Sequence, residues 1–403
     1  MNICRVALAL AALPLTVAHA ATPHWVRSWA ASPMEQPAPP AVAPTANAPA
    51  PIGSNVTFRM VARVSAGGHM LRLRLSNELG KEALPLGAVH VALASPDGSI
   101  RPGSDRTVSF AGAGGPTLAP GAPILSDPVA MDVPDFGDVV VSIHVPGDAA
   151  QVTVHPLGSA TTQIIAGDRT DATAPATPPT RTTTLRYILS AIDVAGGGAQ
   201  GTIATIGDSI TDGARSTPDT NNRWPDIFAR RLGAHPRFAV ANAGISGNRL
   251  LLTGAGPAAL ARLDRDVFSA PNIRYLIVLE GINDIGTAAR ANRPAPAPAL
   301  LIAAYRQIID RAHDAGVKVI GATITPYKGA GYYAPDGEAT RKAVNDWIRA
   351  PGHFDGVVDF ASAVADPADP ASIAAAFDSG DKLHPGDAGY RRMGEAIDLK
   401  LFR

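Results

Sequence analysis

Thr202-Ile203-Ala204-Thr205-Ile206-Gly207-Asp208-Ser209-Ile210-Thr211-Asp212-Gly213 decides how the second half of this chain folds. A short apolar, β-favouring run that ends on Gly and then presents Ser reads as a strand-to-turn junction at the carboxyl edge of a sheet. Gly207 lets the backbone turn tightly, because it has no Cβ to clash. Ser209 then falls where a helix can begin, with its hydroxyl exposed and backbone N–H groups nearby. That is a suitable place for a nucleophile, although Gly-Asp-Ser taken alone is more often the signature of a helix cap.

Outward from this stretch, apolar strands at 202–206, 238–241, 274–279, 317–324 and 356–359 alternate with amphipathic stretches. The latter, Trp224–Leu232, Pro257–Phe268, Ala299–Ala315, Glu338–Ala350 and Asp387–Leu401, have helical spacing. Such alternation predicts a parallel sheet covered by helices on both faces, with ligands bound beyond the carboxyl ends of its strands.

The first half has a different rhythm. Val56–Val61, Leu71–Ser76, Val89–Leu93, Val139–Val145 and Val152–His155 alternate with period two and are separated by Gly, Pro, Asn and Asp. Leu71-Arg72-Leu73-Arg74-Leu75 predicts a strand with one buried and one wet face. This half is expected to be an all-β, jelly-roll-like sandwich. Gly167–Thr184 reads as a linker or excursion, Tyr187–Val194 as one more strand, and the boundary falls at Gly196-Gly197-Gly198. The expected layout is a signal peptide over 1–20, the sandwich over 21–195 and the α/β domain over 200–403.

The signal is read from Arg5, an apolar core, and Ala18-His19-Ala20 before Ala21, a small-x-small cleavage site after Ala20. The protein is therefore expected to be secreted or periplasmic. Its single cysteine, Cys4, leaves with the signal, so the mature chain has no disulfide, cysteine nucleophile or thiolate metal site. No later stretch is apolar enough to span a bilayer. With 35 basic and 35 acidic residues, no charge excess points to nucleic acid or an anionic membrane. Low charge (17%) with 39 Gly and 36 Pro fits a loop-rich secreted protein.

Polar residues cluster after the expected strand ends. Besides Ser209 these are Asn242-Ala243-Gly244-Ile245-Ser246-Gly247-Asn248-Arg249, Glu280-Gly281-Ile282-Asn283-Asp284, and Asp381-Lys382-Leu383-His384-Pro385 before the last helix. Together they supply what ester hydrolysis needs. Ser209 is a nucleophile if a base takes its proton. His384 is that base, with a pKa near neutrality when unperturbed. Asp381, three residues earlier, can reach Nδ1 within one turn, whereas Asp378 has a less suitable offset. The N–H groups of Ser209 and Gly247 and the Asn283 amide can face an oxyanion.

These four blocks, in this order, resemble those of the SGNH (GDSL-type) hydrolase family over roughly residues 200–403. The resemblance implies a flavodoxin-like three-layer α/β/α fold and catalytic roles for Ser209, Gly247, Asn283 and His384, with Asp381 completing a triad. Ile210 stands where that family usually has Leu, a volume-conserving difference. The preceding β domain and Leu279–Gly286 are similar to a secreted bacterial subgroup of arylesterases and acylhydrolases associated with plant polysaccharides.

The other histidines, including His69, His90, His144 and His155 in the β half, read as structural or surface groups without a correctly spaced carboxylate. Asp208 and Asp212 suit a helix's first turn. Asp284 is expected to orient the Gly281–Asn283 loop. Candidate substrate-binding residues are Asp208, Trp224, Arg249 and Asp284, with core packing as the alternative for Trp224. No cofactor or metal is expected. The expected function is hydrolysis of short acyl or aryl esters on plant glycans through an acyl-enzyme. The alternatives are a lipolytic or polyester-cleaving acylhydrolase and, ranked lower, a non-catalytic carbohydrate-binding protein.

Overall fold

The computed structural model of the chain describes residues 22–36, 52–96, 98–173, 181–233 and 235–403. The expected signal peptide and residues 37–51, rich in Pro and Ala, lie outside them.

In the C-terminal domain five parallel strands, Gly201–Gly207, Phe238–Gly244, Ile273–Leu279, Lys318–Ala322 and Gly356–Val358, form one sheet. Numbered along the chain their spatial order is 2-1-3-4-5, the flavodoxin-like order. Side chains alternate between the faces, as the pleat requires. Ala204, Leu276 and Val319 enter one core, and Ile203, Ile277 and Ile320 the other.

The first core is closed by helices α3 (Ala259–Leu263), α4 (Ile282–Arg290), α5 (Pro298–Asp314) and α6 (Pro335–Arg349). The second is closed by α1 (Ser209–Asp212), α2 (Trp224–Arg231), α7 (Phe360–Val364) and α8 (Asp387–Ala396). Helical periodicity places α2, α5 and α6 well, but α8 stops at Ala396 and α3 passes into a π turn over Asp264–Phe268. Two helices, α4 and α7, are absent from the sequence reading. The second has only five residues, too few for a period to register.

The N-terminal region is mostly antiparallel. One sheet orders Trp25–Ala30, Leu189–Ala195, Gly68–Ser76 and Pro123–Leu125, with Val129–Val133 also pairing Gly68–Ser76. The other orders Arg181–Thr183, Thr162–Ala166, Ser54–Arg63, Asp138–Asp148, Val89–Leu93 and Arg106–Thr107. Phe58, Met60, Leu71, Leu73, Val141, Ile143, Ile192 and Val194 from both sheets meet in one core, which makes the pair a sandwich.

Two expectations need correction. The excursion after Gly167 returns as the edge strand Arg181–Thr183 on Thr162–Ala166. The Arg face of Leu71–Leu75 is not wet either. Arg74 is 8% exposed and pairs with Glu78, while Arg72 shares the buried Asp193 with Arg27 and lies over Trp25. Period two finds a strand's faces, but not what covers the second one.

The two parts meet at the outer strand Phe238–Gly244. Ser65 Oγ bonds both the N–H (2.8 Å) and the C=O (2.9 Å) of Val240, and the Arg27 N–H donates to Thr202 Oγ1 (2.9 Å).

Candidate active site

The first parallel strand ends at Gly207, where a Cβ would strike Thr211 Oγ1 and the Leu279 carbonyl. Only glycine allows this close approach. Asp208 then caps α1, its carboxylate accepting the Ile210 N–H at 2.9 Å. Gly213, at φ 102°, closes the helix with its N–H on the Ser209 carbonyl. Ser209 is thus held at the start of a four-residue helix on the carboxyl edge of the sheet, beside the switch point between the first and third strands.

Ser209 Oγ lies 2.8 Å from His384 Nε2, and His384 Nδ1 lies 2.8 Å from Asp381 Oδ2. Asp381 Oδ1 accepts the N–H groups of His384 (2.8 Å) and Leu383 (3.0 Å), so the turn that carries the imidazole also fixes its carboxylate partner. Burial pushes the Asp381 carboxyl up, but the His384 N–H, the imidazole and the Leu383 N–H outweigh it and hold it well below the usual carboxylate range. An ionised Asp381 requires the ring proton on Nδ1, which leaves Nε2 to accept the Ser209 hydroxyl proton. Asp378 is engaged elsewhere, binding the N–H and Nζ of Lys382 and so stiffening the same loop.

After the second strand, the Ile245 N–H bonds the Gly207 carbonyl at 2.9 Å, and the Asn248 N–H closes a turn on the Ile245 carbonyl. Gly247 sits in this turn at φ 77°, where a Cβ would also press on Ala255. Asn283 occupies the first turn of α4 after Gly281, which has φ 111°. Its Nδ2 donates to the Asn248 carbonyl at 3.0 Å, using one of two amide N–H groups, and Tyr332 Oη donates to its Oδ1 at 3.4 Å.

Several contributors escape the sequence reading. Arg262 of α3 is 1% exposed and fans into the site, donating to the carbonyls of Gly207 (3.1 Å) and Ala243 (2.5 Å) and to Asn248 Oδ1 (2.9 Å). Those carbonyls end the first two strands, so one guanidinium spaces the segments bearing Ser209 and Gly247. Tyr332 has only the signal of an aromatic residue on the loop after the fourth strand.

Beneath the turn that bears Ser209 lie the buried carboxyls of Asp208 and Glu280. Burial, then the neighbouring Asp208, pushes Glu280 well above the ordinary carboxyl range, while Arg262 works against this. Its Oε2 accepts the Gly281 N–H, and its Oε1 has no hydrogen-bond partner among the described residues. A raised folded pKa means that no stability is lost below the unfolded value, and that a penalty grows as pH climbs through the folded one. Glu280→Gln should therefore gain thermal stability over the parent between neutral and alkaline pH and match it near pH 5. The gain is worth roughly 2–4 °C per kcal/mol of relieved penalty. Thermal unfolding of both proteins across pH 5–9 measures this, and parallel curves would refute the protonated assignment.

Two expected substrate contacts are corrected. Trp224 is fully buried against Phe360, with centroids 5.1 Å apart, and Asp208 is 1% exposed, so neither reaches a ligand. Asp284 receives the N–H groups of Leu250 (2.8 Å) and Leu251 (3.0 Å), which ties the first turn of α4 to the segment after Gly247. Arg249 lines a groove of about 280 Å³ with Leu251, Leu252, Arg293 and Pro294, whose lining does not include Ser209, His384 or Asp381. Among the described residues no cluster of His, Cys, Asp or Glu has metal-binding geometry.

A three-layer sheet of this order, with hydroxyl, imidazole and carboxylate in line above its switch point, is the framework of a carboxylic ester hydrolase. Residues 205–392 match the GDSL-like Lipase/Acylhydrolase family, and the C-terminal domain belongs to it. Similar solved structures include the aryl esterase of M. smegmatis (18% identity, 49% of this chain and 95% of that one, TM-score 0.39). A GDSL-like lipase from Bacteroides thetaiotaomicron is also similar (18% identity, 50% and 87%, TM-score 0.38). So is an acetyl xylan esterase (18% identity, 48% and 96%, TM-score 0.38). No curated protein matches the chain. No helix among the described residues is long and apolar enough to cross a membrane.

Proposed function

We propose that the mature protein, cleaved after Ala20, is a secreted serine esterase that removes short acyl or aryl groups from plant polysaccharides. Residues 21–195 would form its β domain and 200–403 its hydrolase domain. The observation that carries the mechanism is the unbroken line from Ser209 Oγ to His384 Nε2 and from Nδ1 to Asp381, 2.8 Å at each step.

Ser209 Oγ bonds the ester carbonyl carbon as its proton passes to His384 Nε2. The negative oxygen is met by the N–H groups of Ser209 and Gly247 and the Asn283 amide. The carbon–oxygen bond to the alcohol then breaks, and the alcohol leaves with the proton from His384. Water adds to the acyl-Ser209 carbonyl, gives its proton to His384, and releases the acid as Oγ takes that proton back. Asp381 keeps the ring oriented and stabilises its charged form.

Preference for a small acyl group is supported by the nucleophile's 7% exposure and by the buried Tyr332 beside Asn283. A lipolytic reading is favoured by one feature, Leu252, 54% exposed at the Arg249 groove. An organophosphate that reacts with activated serines, followed by peptide mapping, tests the mechanism: one adduct on the Ser209 peptide is expected. No adduct, or one elsewhere, would overturn it. Rates on p-nitrophenyl esters of rising chain length test the substrate, and an optimum at long chains would replace the glycan-ester reading with the lipolytic one.

A further inference from the structure

His155 belongs to the N-terminal region, in the short strand Val154–His155 paired with Arg186–Tyr187. Its side chain nevertheless points into the hydrolase. The ring is 4% exposed, and Nε2 lies 2.9 Å from Asp212 Oδ1. The other oxygen of Asp212 accepts both the N–H and the hydroxyl of Ser246, each at 2.8 Å. Asp212 is the last residue of the helix that begins at Ser209, and Ser246 precedes Gly247. One carboxylate therefore ties the nucleophile's helix to the turn that presents Gly247, and a residue from the other half of the chain holds that carboxylate.

We propose that His155 is a positioning residue for ester hydrolysis, acting through Asp212 and Ser246 to set the distance between Ser209 and the oxyanion-binding turn.

The imidazole's surroundings suit a fixed, charged strut. Nδ1 faces the Ser32 carbonyl at 2.9 Å, and Nε2 faces the Leu157 carbonyl at 3.1 Å as well as Asp212. Acceptors on both sides require both nitrogens to donate, and only the doubly protonated ring does this. Burial opposes the charge, but Asp212 and the Ser32 carbonyl outweigh it and raise the ring above its ordinary value, with Arg223 pulling the other way. Ser32 is itself anchored, since Arg262 donates to its hydroxyl at 3.3 Å while also holding the Ala243 carbonyl. The strut thus stands on a base connected to the same turn. Asp212 would otherwise be a buried carboxylate beside Ser209 with only Ser246 to satisfy it, free to shift with the helix. Shifts of about 1 Å in a reacting centre can cost roughly 10²-fold in rate.

The inference rests on the proposed esterase activity, so parent, His155→Gln, Ser246→Ala and the double variant are compared as full-length protein. Each is assayed on p-nitrophenyl acetate and by organophosphate labelling of Ser209. Gln preserves bulk but cannot donate at both ends. His155→Gln should lower kcat and the labelling rate by about 10–100-fold with KM changed less than about threefold. Ser246→Ala should lower kcat in the same way. The double variant should lose scarcely more than the worse single one, because both changes weaken one connection, whereas independent structural losses would multiply. A folded His155→Gln protein with parental kcat, or multiplying losses in the double variant, would overturn the proposal. Should His155→Gln fail to fold, His155→Asn takes its place in the same assays, and parental kcat in that folded variant overturns the proposal. A parent that neither turns over ester nor is labelled would overturn the esterase reading first.

Discussion

Ser209→Ala should lower kcat by roughly 10⁴–10⁶-fold while leaving fold and KM nearly unchanged. The hydroxyl contacts His384 at 2.8 Å, whereas the helix that carries it is held by Asp208 and by backbone bonds to Gly213 and Ala214. Removing one oxygen therefore removes the bond-forming atom but little of what supports the turn. His384→Ala should cost a similar factor, and the two together scarcely more, because neither group works without the other. Initial rates on p-nitrophenyl acetate measure this. Hydrolysis by Ser209→Ala within tenfold of the parent would eliminate the serine mechanism.

The largest loss of stability is expected at Arg262. Arg262→Met keeps much of the stem's bulk but removes donors to two strand-end carbonyls, to Asn248 and to Ser32. It also breaks the ion pair with Asp266 at 3.0 Å, although Arg265 still holds that carboxylate. Removing one partner from a buried charged network typically costs about 3–5 kcal/mol. The variant should be destabilised by about that amount, and kcat should fall too, since the first two strand ends lose their common clamp. Urea unfolding reads the first effect. A change below about 1 kcal/mol would show that water or neighbouring groups replace the guanidinium.

Much of the candidate site was legible because its members follow strand ends, and strand ends are marked by apolar runs stopping at Gly or polar residues. Ser209, Gly247 and Asn283 are each found this way, and Asp381 by its offset of three from His384. What escaped is the buried polar support. In the sequence Arg262 is one more basic residue on an amphipathic helix, and His155 one more polar position in a strand. Their partners lie 55 and 57 residues away, at Gly207 and Asp212. Local periodicity reports which side of an element is apolar. It carries no information on whether a charge on the other side meets water or a distant carboxylate. The same gap explains Arg74, read as wet, and Trp224, offered to a substrate but enclosed against Phe360.

Ser65 reaches across to Val240, and that contact bears on how freely the halves of this protein can be recombined. A hydrolase cut loose at residue 200 would carry a naked margin of backbone along Phe238–Gly244, a template on which copies can add strand to strand. Gene fusions that borrow only the second half would have to bring a substitute cover for that margin.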